Sequence, residues 1–122
     1  MSDNARSFDD VSFGRTIQQL RRELGLTQRF VASQLGIDFT YLSKLENDRG
    51  EAPGEETIRG LAQILKADAE ELLALAGKIP AELRQRAVHD RDFAMFLRKL
   101  PGLSDDALAR LYRDAGVRRP RK

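Results

Sequence analysis

Few side chains in this sequence are of types that carry out catalysis, and their arrangement argues against it. Cysteine is absent, and the single histidine, His89, lies beside Asp90 and Asp92 without the second imidazole or thiolate that a transition-metal site needs. Adjacent carboxylates fall at or near predicted helix starts, where the helix dipole favours negative charge; these pairs are Asp9-Asp10, Glu55-Glu56, Glu70-Glu71 and Asp105-Asp106. We therefore predict that the chain is not an enzyme and has no catalytic residues, no metal and no cofactor.

The pattern with a definite chemical use is a run of polar side chains between positions 39 and 47. If a helix begins at Phe39, Leu42 and Leu45 lie on one side of it, because successive residues turn by about 100°. The opposite side then presents hydrogen-bonding groups, one cation and one aromatic ring, from Phe39, Thr40, Ser43, Lys44 and Asn47. Such a face fits the major groove of DNA, whose base edges carry donors, acceptors and thymine methyl groups. Tyr41 lies at its margin, where it either contacts DNA or packs against the scaffold.

A sharp helical corner is predicted to position this face. Thr27 is the candidate N-cap of a helix that ends at Gly36, since glycine adopts the left-handed conformation at little steric cost. Asp38 then caps the next helix within two residues, and the small side chain of Ala32 lets that helix cross closely. The segment is thus predicted to be a helix-turn-helix.

The start of the first helix in this corner is the predicted place for phosphate contacts. Its free N–H groups and positive dipole end favour an anion, and Arg29 adds a cation there. Gln28 either hydrogen-bonds a phosphate or braces the second helix. Glu46, on the inner side of the second helix, is expected to face neighbouring helices and to pair with Arg15 or Arg21.

The whole chain follows the helical pattern. Glycine and proline are sparse, and apolar residues recur at three- and four-residue steps, which predicts an all-α fold of eight helices. The stripes are Phe13, Ile17, Leu20 and Leu24 before Gly25; Val31, Ala32 and Leu35 before Gly36; Leu42 and Leu45; Ile58, Leu61, Ala62 and Leu65; Leu72, Leu73, Leu75 and Ala76 before Gly77; Leu83 and Ala87, with Pro80 at N1; Phe93, Phe96, Leu97 and Leu100 before Pro101; and Leu108, Leu111 and Tyr112 between Ser104 and Gly116.

Residues 12–77 resemble the XRE family of lambda-repressor and Cro-like DNA-binding domains. The matching features are Leu26-Thr27-Gln28, Ala32, Leu35-Gly36-Ile37, Leu42-Ser43-Lys44-Leu45-Glu46-Asn47, Arg49, and the apolar positions of the fourth and fifth helices. The resemblance implies a five-helix domain that binds operator DNA, usually as a symmetric dimer, and represses or activates transcription. It also implies that Gln28, Phe39, Thr40, Lys44 and Asn47 fall on DNA-contact positions.

Two features depart from that family. Phe39 stands where family members often carry a polar base reader, so it is expected to contact a thymine methyl group or to pack against Tyr41. The loop Asp48–Glu56 looks long, and Arg49 is placed to reach the DNA backbone from it. The complete set of predicted DNA-binding residues is Thr27, Gln28, Arg29, Asp38, Phe39, Thr40, Tyr41, Ser43, Lys44, Asn47 and Arg49.

Charge and apolar pattern divide the 122 residues into four parts. We predict a flexible N-terminus over 1–11, the helix-turn-helix domain over 12–78, a helical extension over 79–116, and a basic disordered tail over 117–122. The net charge of +2 conceals eleven basic and six acidic residues in 79–122. The extension has more apolar residues than an isolated helix can hide, so it folds back on the domain or, as we prefer, pairs with its copy in a homodimer.

The predicted function is sequence-specific regulation of transcription, more specifically repression by a homodimer that reads an inverted repeat through its third helix. The alternative is an antitoxin whose C-terminal helices bind a protein partner while the helix-turn-helix autoregulates its operon. A third possibility is an accessory module with no role on DNA. Double-stranded DNA is the expected partner, and no membrane is expected because no apolar run approaches the roughly 20 residues of a spanning helix. The expected compartment is the cytoplasm.

Overall fold

The computed structural model describes residues 12–117, and this part of the chain is helical, with no strand. Its α-helices are α1 (Phe13–Glu23), α2 (Gln28–Leu35), α3 (Phe39–Glu46), α4 (Glu55–Leu65), α5 (Ala69–Leu75), α6 (Ala81–His89), α7 (Arg91–Lys99) and α8 (Asp105–Ala115). The chain divides into two compact units, which comprise residues 12–78 and 79–117 of the described part. The predicted all-α class, with five helices in the domain and a helical extension, is confirmed. The N-terminal prediction for 1–11 and most of the predicted basic tail lie outside the described residues.

The first unit is built around one hydrophobic core to which all five of its helices contribute. The largest side chains that are fully buried are Ile17, Val31, Leu42, Ile58, Leu61, Leu65 and Leu72. Each of them belongs to an apolar stripe that the sequence predicts. Leu24 is the exception among the predicted stripes, because α1 ends before it and its side chain is 39% exposed.

Side-chain caps explain where most helices of this unit begin. Thr27 accepts a hydrogen bond from the backbone N–H of Phe30 at 3.0 Å, and Asp38 accepts one from Thr40 at 3.1 Å. Each cap satisfies an N–H group that has no partner within its helix. Gly36 closes α2 in the left-handed conformation, with φ at 71°. Both predicted caps and the predicted glycine stop are therefore present.

Paired carboxylates lie in the first turns of α4, α5 and α8, as the sequence analysis places them. In the first unit, Arg59 bridges two of these turns, at 2.9 Å from Glu55 and 3.2 Å from Glu70. The hydrogen bonds to Glu55 and then Glu70 raise the pKa of Arg59 above its usual value. All three side chains are well exposed to solvent, so the bridge adds little stability.

The second unit consists of three short helices and contains no buried residue among 79–117. Asp90 caps α7 by accepting from the N–H of Phe93, and Ser104 caps α8 by accepting from Ala107. Two predicted details are wrong: Pro80 is the N-cap of α6 and not its first residue, and Leu100 lies in a 3-10 turn after α7. In both cases the difference is one residue at a helix end, where hydrogen bonding is weakest.

Candidate nucleic-acid interface

Helices α2 and α3 form the predicted corner with a connection of three residues. The backbone N–H of Gly36 donates to Ser33, and that of Ile37 donates to Ala32 at 3.0 Å, which closes the end of α2. Asp38 then opens α3 immediately. Ala32 is buried, as its predicted role beneath the crossing helix requires. The short connection holds α3 at a defined angle to α2.

The two sides of α3 differ as the periodicity predicts. Leu42 and Leu45 are buried in the core, at 0% and 3% exposure. The side of α3 that is predicted to face DNA is open to solvent. Ser43 is half-buried there, and the exposed side chains are Phe39, Thr40, Tyr41, Lys44 and Asn47. We call Phe39, Thr40, Ser43, Lys44 and Asn47 the α3 face. Tyr41 is exposed as well, which favours its placement at the edge of this face over packing in the scaffold.

Glu46 anchors the inner side of α3 through a buried network. Its carboxylate accepts from Arg21 Nε at 2.6 Å and from Arg21 Nη2 at 3.0 Å, and the two side chains are 0% and 10% exposed. Of the two arginines considered for Glu46, the structure thus selects Arg21. The remaining terminal nitrogen of Arg21, Nη1, donates to the carbonyl of Leu26 at 2.9 Å. The ion pair joins α1 to α3, and the hydrogen bond to Leu26 adds the start of the corner.

Gln28 takes the second of its two expected roles. Its Nε2 donates to Glu46 Oε1 at 2.9 Å, so the side chain braces α3 from the first turn of α2. Its remaining amide oxygen is available to other donors, and the residue is half-buried. Gln28 thus connects the start of α2 to the helix that carries the α3 face.

A shallow groove of about 490 Å³ runs beside the start of α2. Its walls combine cationic and hydrogen-bonding side chains with two apolar ones: Gln18, Arg21, Arg22, Leu26, Thr27, Gln28, Arg29 and Phe39. Of this set, the sequence predicts Thr27, Gln28, Arg29 and Phe39 as DNA-binding residues. Gln18 and the exposed Arg22 are not among the predicted residues, because both belong to α1 and approach the corner only through tertiary packing. The feature of the sequence that could have indicated this wall of the groove is the adjacent pair Arg21-Arg22 at the end of α1.

Arg29 and Phe39 contact each other across this groove. The guanidinium carbon of Arg29 lies 4.6 Å from the centroid of the Phe39 ring, which is within the range of a cation–π interaction. Tyr41 is one predicted packing partner for Phe39. The ring contact that the structure provides is instead with Arg29, since residues two apart on a helix do not face each other.

The remaining predicted residues cluster at the two ends of α3. Asp38 uses a carboxylate oxygen to cap the helix, and the side-chain amide of Asn47 donates to the carbonyl of Ser43 at 2.8 Å. Arg49 is exposed, and its backbone N–H donates to the carbonyl of Lys44 at 2.9 Å. The long loop after α3 therefore leaves the helix by a tight turn, with the Arg49 side chain on its outer surface.

Asp48 fastens this turn to the beginning of α1. Its carboxylate accepts from the backbone N–H of Gly14 at 2.9 Å and from the hydroxyl of Ser12 at 2.6 Å. The backbone of Asp48 is left-handed, with φ at 57°, a conformation that non-glycine residues seldom adopt. Asp48 is not among the predicted residues, since nothing in the local sequence indicates a partner 34 residues away.

The geometry of α2 and α3, with a short corner, an anchored inner side and an exposed polar outer side, defines a helix-turn-helix DNA-binding domain. A family model described as "Helix-turn-helix domain" matches residues 14–78, which is more than half of the chain. The chain belongs to this helix-turn-helix family, and the predicted resemblance is confirmed.

Two curated relatives come from Bacillus subtilis (strain 168). The "Uncharacterized HTH-type transcriptional regulator RghRB" is 40% identical over 76 residues, which cover 60% of this chain and 55% of the relative. The "HTH-type transcriptional repressor RghR" is 34% identical over 79 residues, covering 65% of this chain and 58% of the relative. The chain thus spans little more than half the length of these relatives, and their names describe regulators of transcription, not enzymes.

A solved structure, a complex of the SinR and SinI proteins, also aligns with this chain. The TM-score is 0.47 at 23% identity, and the alignment covers 73% of this chain and 94% of that one. Within residues 12–117 of our chain, no helix has both the length and the apolar character to cross a membrane.

Proposed function

We propose that the protein is a sequence-specific transcriptional regulator that places α3 in the major groove of operator DNA. The observation that carries this proposal is the two-sided character of α3. On the inner side of α3, Leu42 and Leu45 are buried in the core and Glu46 forms the buried ion pair. On the outer side, the α3 face is open to solvent. A helix that exposes donors, acceptors and a cation at its outer side is suited to base edges, each of which presents its own hydrogen-bonding pattern.

Phosphate contacts are proposed for the groove beside α2. Arg22 and Thr27 line it, and the first backbone N–H groups of α2 lie next to them. These groups attract a phosphate oxygen without distinguishing bases, so they set the position of the domain on the duplex. Arg49, exposed on the turn after α3, is placed to add a second phosphate contact. The α3 face then supplies the sequence preference.

We further propose that the functional form is a homodimer joined through residues 79–117. This unit buries none of its residues, and it exposes large apolar side chains at Ile79, Val88, Met95, Phe96 and Val117. Exposed apolar groups in this number favour association with another surface. A twofold dimer would present two α3 helices about 34 Å apart, which matches one turn of DNA and an inverted-repeat operator.

Repression is the regulatory outcome we favour, because a bound dimer would occlude its operator and because one relative is named a repressor. In the antitoxin alternative, the same apolar surface of the second unit binds a different protein instead of a second copy of this chain. A stable homodimer through residues 79–117 argues against that alternative. A heteromeric complex in which this surface is covered by another chain would support it. In either case the expected place of action is the cytoplasm.

The direct experiment is selection of duplexes from a random-sequence library with the full chain, followed by a gel-shift titration. We expect an enriched motif with twofold symmetry, bound in the presence of competitor DNA. Affinity should fall steeply as salt rises, since each phosphate contact releases counterions. Failure to enrich any motif, or binding to all duplexes with equal affinity, would contradict a sequence-specific regulator.

A further inference from the structure

Arg29 and Phe39 form a contact that the core does not explain. Arg29 is the second residue of α2 and Phe39 the first residue of α3, so their contact spans the corner. The guanidinium lies over the ring at 4.6 Å, yet Arg29 is exposed and the phenylalanine side chain is 37% exposed. A large apolar ring at the solvent edge of a helix costs free energy unless something covers it.

A position over the ring restricts the guanidinium while its donors stay available. An arginine held against an aromatic ring by a cation–π contact still presents N–H groups at its outer side. Among the described residues, Arg29 has no carboxylate partner that would occupy these donors. The guanidinium fork of Arg29 is therefore free for a ligand with two acceptors side by side. Because the ring already restricts the Arg29 side chain, less conformational freedom is lost when the ligand binds.

The position of the pair favours a base over a phosphate. Base edges are contacted by the N-terminal residues of a recognition helix, and Phe39 is the first residue of α3. A guanidinium held on this ring is therefore carried to the end of α3 that meets the bases. The groove still offers Arg22, Gln18 and the start of α2 for phosphate, so these contacts do not require Arg29.

The geometry points to Arg29 and Phe39 acting together as a guanine-reading unit. Arg29 donates from its fork to O6 and N7 of one guanine in each half-site, the two acceptors that guanine presents in the major groove. Phe39 holds the guanidinium in that orientation, and the exposed part of its ring contacts the methyl group of a neighbouring thymine. This inference rests on the proposed function, and it replaces the expectation that Arg29 contacts a phosphate.

The test uses the full chain and the operator obtained by selection. Each guanine is replaced in turn by 7-deazaguanine, which lacks the N7 acceptor, and each thymine by uracil, which lacks the methyl group. For the wild-type chain we expect one guanine per half-site whose replacement weakens binding about 10-fold, and a nearby thymine whose replacement weakens it about 3-fold.

Two variants show which side chain causes each loss of affinity, and a third variant is the matched control. Arg29→Met retains an unbranched apolar stem without the fork, so the 7-deazaguanine penalty at that position should vanish while the other penalties stay. Phe39→Ala removes the ring and most of its apolar surface, so it should shrink the same guanine penalty and remove the uracil penalty. Arg22→Met, on the phosphate side of the groove, should weaken every operator equally and keep all analogue penalties. Circular dichroism confirms folding, which surface substitutions should leave intact.

Two results would overturn the inference. Arg29→Met could weaken all operators uniformly and reduce the salt slope by about one, as expected for Arg22→Met, which would mark Arg29 as a phosphate contact. Alternatively, Arg29→Met could bind the operator as tightly as the wild type. Absence of any selected motif with the wild-type chain is a different outcome, because it contradicts the proposed function and the inference falls with it.

Discussion

Glu46 shows how one residue can serve both the stability and the orientation of the candidate interface. Its carboxylate receives three hydrogen bonds, two from Arg21 and one from Gln28, and its side chain is inaccessible to solvent. A buried charge is tolerated only where partners compensate for lost hydration. The network therefore requires Arg21 and Gln28 to stay in place, and it holds the inner side of α3 against α1 and α2.

Replacing Glu46 with alanine is expected to destabilise the protein by about 3–5 kcal/mol, because the Arg21 guanidinium is left buried without its counter-charge. Urea denaturation followed by circular dichroism measures this loss. Glu51→Ala is the control, since that glutamate is exposed and its removal should cost less than about 0.5 kcal/mol. The double variant Arg21→Met/Glu46→Leu should recover much of the stability. A loss for Glu46→Ala that equals the loss for the control would contradict the assigned role.

Lys44 belongs to the α3 face, and it is exposed and without an ion-pair partner among the described residues. We expect Lys44→Ala to leave the free energy of unfolding nearly unchanged and to weaken operator binding by about 1–3 kcal/mol if the lysine reads a base. Gel-shift titration against the operator and single-base variants measures the effect. Lys66→Ala removes the same charge outside the helix-turn-helix and should bind normally. An equal loss on every sequence would instead identify a phosphate contact.

At the scale of elements, the junction of α1 and α3 determines how closely the two helices approach. Gly14 is buried in the first turn of α1, beneath the end of α3. A side chain at this position would collide with the backbone carbonyl of Leu45, and its Cβ would lie 2.9 Å from the carbonyl of Glu46. Backbone atoms cannot move aside as a flexible side chain does. The absence of a side chain at Gly14 thus sets the contact distance of the helix that carries the α3 face.

Gly14→Ala should therefore destabilise the protein by about 1–3 kcal/mol or more, although alanine is the better helix former. The midpoint of thermal unfolding reports this change. Gly102→Ala serves as the control, because a Cβ there meets no atom within 4 Å and should be tolerated. Equal midpoints for the two variants would show that α1 and α3 are less tightly packed than the structure indicates.

Asp48 joins the same two elements through its carboxylate, which accepts from Ser12 and from the backbone of Gly14. Asp48→Ala is expected to cost about 1–2 kcal/mol, since α1 loses a cap and a negative charge at its positive end. Asp48→Asn keeps an acceptor for Gly14 and tolerates the left-handed backbone, so it should lose less. Urea denaturation of both variants gives the comparison, and an Asp48→Ala variant as stable as the wild type would show that the contact is irrelevant.

On the scale of the whole molecule, the two units differ in how completely they bury their apolar side chains. The first unit encloses a core in which seven large side chains are less than 2% exposed. The second unit encloses none among residues 79–117, although two of its rings, Phe93 and Phe96, lie with centroids 6.4 Å apart. The guanidinium of Arg86 covers the first of these rings, whereas Phe96 is 44% exposed. This difference is the basis for the proposal that residues 79–117 join two copies of the chain.

Multi-angle light scattering should accordingly give twice the monomer mass for the full chain and the monomer mass for residues 1–78. The shorter chain should also bind the operator much more weakly, because it engages one half-site at a time. Phe96→Asp in the full chain tests the surface without truncation, since a charge at an apolar interface opposes association. Two monomer masses, or a dimer that survives both changes, would exclude dimerisation through the second unit.

The sequence by itself determines the helices, their caps and the composition of the α3 face. These features depend on neighbours three or four residues away, so periodicity and capping rules are sufficient to find them. Thr27, Gly36 and Asp38 are examples, because each acts within its own turn of chain. The errors at Leu24, Pro80 and Leu100 are confined to helix ends, where one hydrogen bond decides the boundary.

The tertiary structure alone decides which side chains meet across elements. Three contacts join residues of different elements: the pairing of Glu46 with Arg21 and not Arg15, the cation–π contact of Arg29 with Phe39, and the hydrogen bond from the Gly14 N–H to Asp48. Such contacts depend on the angles and distances at which helices pack, and these are set by the shape of the whole core. Local patterns contain no information on that shape, which is why they predict the helix that carries the α3 face but not the network that orients it.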